Sequence, residues 1–481
     1  MYAFLASSLE AKVAAHPNRR RTQPLTRASA AQPPGSHDPT FAEKIPSHRG
    51  EAYDANDAGV VSHAARPHHP MSAYTFFAPP LSILGFGALR RLGGIVRDKE
   101  HKTCVLVTGD RRDDAAGVIP LTKKTLLDAG VRVEVYDEVE QNPTTQHVDA
   151  ARIMCEEINA DCIVSCGGSS CHDVAKLVRG LYRNDAGQTS ACELNGVDMC
   201  RASSSVMVPH YAVSSTATSG SSSELTRLAT ICDPVERCEM SVVDYRLTPT
   251  VACIVTVETQ QGNPELIAAS GVLALAHAVE AYLSPASSPI TDACALHSIR
   301  LISAHLRDAV FDANDSEARN MITFADYLAG TAFNSAGLGW VQGLSNALCA
   351  EYIAAPASEC AGVFLPHVLR FYAGGSAGTK ELFVDLAEAM GCPAESDSTE
   401  QAAATCVLTI ARLVADLKLP ETLRDLTARR RLGMDKKEIT KIALRALRDT
   451  AAVTAARGAS LGEMEELLVK TWDCTLSKAS C

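Results

Sequence analysis

The sequence predicts an α/β nucleotide-binding domain with a parallel, Rossmann-like sheet, followed by an all-helical domain. Three observations carry that reading. Short β-type apolar runs alternate with helical stretches between residues 71 and 260, hydroxyl-rich turns follow two of these runs, and from about residue 262 long helical stretches succeed one another. The boundaries that follow are an extension over 1–70, a dinucleotide-binding domain over 71–260 and a helical domain over 261–481.

The extension is rich in Pro, Ala, Ser and His, carries the basic run Arg19-Arg20-Arg21, and shows no sustained apolar period after its first six residues. It reads as an organelle-targeting presequence or a disordered arm that could engage protein partners, although Glu43, Glu51, Asp54 and Asp57 do not suit a presequence. From Met71 the pattern is regular. Cys104–Thr108 is a strand, a helix runs through Leu121 to Ala129, and Val131–Tyr136 is the second strand of a β-α-β unit. Ala160–Ser165 forms a third strand and Asp173–Val178 begins the helix after it, while Val206–Pro209 and Leu228–Ile231 are further strands. Helices are expected at 265–284, 291–312, 318–334, 338–353, 379–390, 399–417, 436–451 and 461–473.

Bulk properties exclude several functions. With 45 Lys and Arg against 56 Asp and Glu, the chain carries a net charge of −11, which disfavours nucleic acid as a partner. Mean hydropathy is +0.01, and no uninterrupted apolar run looks long enough to cross a bilayer, so no membrane span is expected. The 17 cysteines lack any C-x-x-C pair, which points to reduced thiols in a reducing compartment, cytoplasmic or mitochondrial. Cys162, Cys166 and Cys171 lie close in sequence, but their place around a Gly/Ser turn favours small side chains at a tight backbone over a metal cluster.

Two loops suggest chemistry. In Cys166-Gly167-Gly168-Ser169-Ser170, glycines allow close backbone approach to a pyrophosphate, hydroxyls add donors, and the following helix offers unpaired N–H groups. Thr216–Glu224 is a second hydroxyl-rich loop, and together the two suit a dinucleotide. In the helical half, Gly271–Tyr282 reads as a buried helix presenting one imidazole, His277, with Leu273 on the same face four residues earlier.

Collinear motifs resemble the iron-containing (group III) alcohol dehydrogenases of the dehydroquinate synthase-like fold. They are Phe77-Ala78-Pro79-Pro80 with Phe86-Gly87, Gln141-Asn142-Pro143-Thr144, Gly167 to Lys176, Thr218 to Glu224, Phe333 to Gly339, and Leu417 to Arg424. The resemblance implies NAD- or NADP-linked oxidation of a small alcohol or reduction of an aldehyde or ketone, with iron or zinc holding the substrate oxygen, in a homo-oligomer. It implies cofactor contacts at Gly109, Asp110, Gly167, Gly168, Ser169, Ser170, Asp173, Lys176, Thr218, Ser221 and Ser223. Ser169 and Ser222 replace glycines of the family loops. A glycine at the Gly109 position leaves NADP open, with Arg111 and Arg112 as phosphate partners.

The family's four metal ligands fall on Leu273, His277, Asn346 and Ala357, and only one of these is a good donor. The expectation is therefore a chain that keeps the fold and the nucleotide site, binds no family-type metal, and serves as a catalytically degenerate regulatory or structural subunit. The alternative is an active oxidoreductase. It would use a metal site rebuilt from Cys349, Glu351, Glu359 and Cys360, or a metal-free mechanism with His277 as general base.

Overall fold

The computed structural model describes residues 73–109, 117–140, 142–215, 222–235, 238–256, 263–352, 354–392 and 398–477. The extension 1–70, Asp110, Arg111, Arg112, Gln141, Thr218 and Ser221 lie outside the described residues.

The strands, in chain order, are β1 (Leu81–Gly85), β2 (Thr103–Gly109), β3 (Arg132–Val139), β4 (Cys162–Cys166), β5 (Gly196–Val197), β6 (His210–Ser215), β7 (Leu228–Asp233), β8 (Cys238–Val243) and β9 (Val251–Val255). Six of them form one sheet in the order β1-β9-β6-β4-β2-β3, every neighbouring pair parallel. The central strands β4 and β9 are buried at every residue, because helices cover both faces of a parallel sheet and leave no solvated side to demand alternation. The helices around it are α1 (Ala88–Asp98), α2 (Val118–Asp128), α3 (Thr145–Glu157) and α4 (Ser169–Leu181).

One expectation is corrected in this half. Val206–Pro209 is no strand; the strand begins at His210. Pro209 has no N–H for a ladder, its carbonyl accepts from Ile163 N at 3.0 Å, and the Val208 carbonyl is taken by the Arg179 guanidinium at 3.1 Å. Leu228–Ile231 is a strand, but it belongs to a separate small sheet, β5-β8-β7, where β7 runs antiparallel to β8.

The helical half comprises α5 (Pro264–Leu283), α6 (Pro289–Phe311), α7 (Ser316–Ala336), α8 (Trp340–Glu351), α9 (Ala357–Ala373), α10 (Ala377–Ala389), α11 (Thr399–Asp416), α12 (Leu423–Arg430), α13 (Ile439–Ala446) and α14 (Leu461–Asp473). Helix α9 was hidden from sequence reasoning by Gly362 and Pro366, yet it is buried from Glu359 to Leu369 and tertiary packing carries it past both. Helix α13 is shorter than the expected 436–451, with 3₁₀ turns before and after it.

Helix α5 is the axis of this half. Asn263 caps it, accepting from Glu265 N at 3.0 Å, and Pro264 occupies the first turn. Every residue from Ile267 to Leu283 is buried. By length and composition α5 could cross a bilayer, but its run is interrupted by Ser270, His277 and Glu280, and 94% of its most apolar window is buried inside the protein. Among the cysteines, those from Cys104 to Cys406 whose side chains are described are free thiols, whereas Cys474 is disulfide-bonded, so a wholly reduced set is not found.

Candidate active site

A cleft of about 240 Å³ opens where the carboxyl ends of the sheet strands meet the helical half. Its wall includes Asn142 and Pro143 after β3, Ser169, Ser170 and Asp173 at the start of α4, Ser223 and Thr226, and Leu273, His277, Phe333, Gln342, Asn346, Cys349 and Ala357 from the helical half.

The α4 turn is shaped for close approach. Gly167 has φ +145°, and a Cβ there would stand 2.9 Å from Cys171 Sγ, so a side chain is excluded on both counts. No side chain caps α4 at Gly168, and Ser169 and Ser170 face the cleft at the helix's positive end. Gly109, at the end of β2, lies against the Val139 carbonyl and near Cys171. Cys162 and Cys166 occupy opposite ends of β4, about 13 Å apart at strand spacing, so the three neighbouring cysteines form no cluster.

Behind the wall the two loops are tied together by one buried ammonium. Lys176 is 0% exposed, and its Nζ donates to Ser223 Oγ at 2.8 Å, Thr226 Oγ1 at 3.1 Å and the Leu228 carbonyl at 2.6 Å, with Asp173 Oδ1 at 3.5 Å. Asp173 in turn accepts from Ser223 Oγ at 2.5 Å and Thr230 N at 3.1 Å. Burial pushes the Lys176 ammonium down and the Asp173 carboxyl up, each opposed by the other's charge. Lys176, named above as a cofactor contact, thus stands outside the cleft wall and positions Asp173 and Ser223, which line it. Ser222, at a family glycine position, adopts φ +51° and donates to Asp326 Oδ1 at 3.0 Å, binding this loop to α7.

At the family's metal position the donors are spent on one another. His277 Nε2 lies 3.0 Å from Gln342 Oε1, Gln342 Nε2 donates to Asn346 Oδ1 at 2.7 Å, and Asn346 Nδ2 donates to Asp449 Oδ2 at 2.9 Å. Since Gln342 Oε1 can only accept, His277 carries its proton on Nε2, and its buried Nδ1 has no partner. Burial holds the imidazole neutral, its pKa lowered to about 4. Leu273 and Ala357 offer no donor atom, so these positions do not fit a catalytic divalent ion, which needs three protein ligands and an open place. Three of the four residues of the rebuilt set are held by other partners. Glu351 pairs with Lys441 and Arg445, buried Glu359 accepts from Arg430 Nε at 2.9 Å, and Cys349 donates to the Ala355 carbonyl at 3.3 Å.

Sequence reasoning missed two residues that build this arrangement. Glu280, one turn after His277 on α5, is buried and accepts from Gly339 N at 2.9 Å, Val341 N at 2.8 Å and Gln342 N at 3.2 Å, capping α8 and thereby setting Gln342 opposite His277. Gln342 shares a helix face with Asn346 four residues later, and that spacing was the only signal available.

The buried titrating groups give a signed expectation. His277 and His367 are lowered to about 4, His172 to about 3 and His210 well below its usual value, all by desolvation. His172 Nδ1 and His210 Nε2 meet at Ser165 Oγ, 2.7 Å from each. Depressed histidines bind fewer protons folded than unfolded, so their contribution is complete above pH 6.5 and is lost as pH falls from there towards 4. Glu280, raised by burial to about 7, and Asp173, also raised, act in the opposite sense. The four histidines outnumber them, so stability should fall on acidification from pH 6.5 to 5, with uptake of about two protons on unfolding. Urea unfolding across that range checks it; a flat or rising profile would contradict the burial pattern.

Family profiles match this geometry on both halves: "Iron-containing alcohol dehydrogenase" over residues 79–256 and "Fe-containing alcohol dehydrogenase family, C-terminal" over 267–472. An NAD-dependent methanol dehydrogenase of Bacillus methanolicus is 31% identical over 82% of this chain and 98% of its own length. The chain belongs to the iron-containing alcohol dehydrogenase family. Alcohol dehydrogenase 4 of Saccharomyces cerevisiae is 38% identical over 62% of this chain and 76% of its own. The crystal structure of a 1,3-propanediol oxidoreductase superposes with TM-score 0.75 at 31% identity, covering 83% of this chain and 100% of that one. As a family member, this chain carries an alcohol-oxidoreductase architecture, with motif residues in structural use. Asn334 donates to the Phe77 carbonyl at 3.0 Å and accepts from Arg227 N at 3.1 Å, and Arg227 stacks on the Phe77 ring.

Proposed function

We propose that this family member binds NAD or NADP in the cleft but holds no metal at the family position, and that it is catalytically degenerate, a nucleotide-binding regulatory or structural subunit. The carrying observation is the chain His277–Gln342–Asn346–Asp449, which engages Nε2 of the remaining imidazole and closes on a carboxylate, while Leu273 and Ala357 supply no donor. Nucleotide binding is supported by the uncapped α4 N-terminus, the hydroxyls of Ser169 and Ser170, and the position of Ser223 in the wall.

A metal-free reaction through His277 is the weaker reading. An imidazole whose pKa is lowered to about 4 is a poor acceptor for an alcohol proton. The test pairs two measurements on the full chain. NAD(P)H fluorescence should show saturable binding, while small aldehydes should leave NAD(P)H oxidation at the background rate. Aldehyde-dependent turnover lost on His277→Ala would overturn the degenerate reading, and absence of nucleotide binding would overturn the cofactor half.

A further inference from the structure

The amino ends of the sheet strands, opposite the cleft, gather a different set of donors. His101 precedes β2, Asp161 precedes β4, and Cys162 is the first residue of β4, in register with Cys104 of β2. One nitrogen of His101, one carboxylate oxygen of Asp161 and Sγ of Cys162 all lie within 4.8 Å of one another, and among the described residues no other three His, Cys, Asp or Glu donors gather in this way. We propose that His101, Asp161 and Cys162 form a binding site for a zinc-class divalent cation, independent of the family's metal position.

The first support is spacing. His101 Nδ1 and Asp161 Oδ1 are 3.7 Å apart, too far for a hydrogen bond and close to the separation of about 3.3 Å that two ligands take on a tetrahedral zinc with bonds near 2.0 Å. The second is the surrounding shell. His101 Nε2 lies 2.8 Å from the Tyr211 hydroxyl, which orients the ring and leaves Nδ1 towards Asp161, the arrangement that ligating histidines adopt. Asp161 is fixed by Lys102 N donating to Oδ2 at 2.7 Å and Thr103 N donating to Oδ1 at 3.3 Å. The Cys162 thiol has a weak contact to the Thr103 carbonyl at 3.9 Å and meets the Cys104 thiol and the Asp161 carboxylate.

The third support is chemistry and access. Thiolate, imidazole and carboxylate together form a borderline donor set that suits zinc over magnesium or calcium. The His101 side chain is 11% exposed and that of Asp161 35%, so a fourth position for water faces solvent. On binding, the Cys162 S–H bond breaks, its proton passes to solvent and a sulfur–metal bond forms. The bound ion would fasten the amino ends of β2 and β4 together and raise the stability of the sheet.

Cobalt(II) reports the site directly, because only a thiolate ligand gives an intense sulfur-to-cobalt charge-transfer band. The full chain, reduced and stripped of metal, is titrated with cobalt and then competed with zinc. The expected result is one equivalent bound with the thiolate band, a higher melting temperature, and unchanged binding in His277→Ala. Cys162→Ser should lose the band, and His101→Ala and Asp161→Asn should weaken binding by about tenfold or more. Because Cys162 is buried and its variant could misfold, the partly exposed His101→Ala decides the matter. No thiolate band, a band that survives in folded Cys162→Ser, or cobalt affinity unchanged in His101→Ala would each overturn the proposal.

Discussion

Lys176→Met is expected to destabilise the protein by about 3–5 kcal/mol, the cost of leaving a buried charge and its hydrogen-bonding partners uncompensated. The substitution keeps a buried side chain of similar length but takes away the donor shared by Ser223, Thr226 and the Leu228 carbonyl, and leaves the Asp173 carboxylate without its counter-charge. Because Asp173 and Ser223 line the cleft, nucleotide affinity should fall with stability. Lys380→Met supplies the contrast. Its pair with Glu400 at 3.1 Å lies at the surface, where solvent screens it, and little loss of stability is expected. Urea unfolding of both variants at equal m-value checks this, and a loss of less than about 1 kcal/mol for Lys176→Met would show that the ammonium is not the clamp described here.

Leu273→Asp combined with Gln342→His and Ala357→His is expected to create cation binding in the cleft. The carboxylate introduced at position 273 would stand one turn before His277 on the same face of α5, removing Gln342 would free His277 Nε2, and position 357 faces the same space. Three or four converging donors meet the requirement of a catalytic zinc site, and micromolar affinity or better, at least about 8 kcal/mol, is expected. Without metal the triple variant should be less stable, by about 2 kcal/mol or more, since Leu273 is 7% exposed and a carboxylate replaces it. Zinc should restore that loss. Zinc uptake equal to that of the unaltered chain would mean that the cleft backbone has moved away from an ion-holding geometry.

The fold was legible because it rests on local, repeated signals. β2 and β4 fall on short apolar stretches read as strands, the α4 turn has its glycines, and α5 has its Ala/Leu texture. Legibility failed where packing overrides propensity, as in α9 with Pro366 buried inside it, and at Val206–Pro209, where a β-prone composition serves only to lead into β6.

The site was half legible. His277 and the empty positions Leu273 and Ala357 could be read directly, but the sequence pointed to Asn346 as the replaced second ligand, whereas the amide that meets His277 belongs to Gln342, one turn earlier on the same face. That difference depends on how α8 docks on α5. The dock is made by Glu280, whose role appears only when its carboxylate is seen against three backbone N–H groups from another helix.

The proposal that the cleft holds no metal is tested most directly by measuring iron and zinc in the purified chain beside His277→Ala. Any ion held at His101, Asp161 and Cys162 would be common to both proteins, so only the difference between them reports on the cleft. The expected result is equal metal content in the two. Stoichiometric iron or zinc present in the unaltered chain and missing from His277→Ala would contradict it.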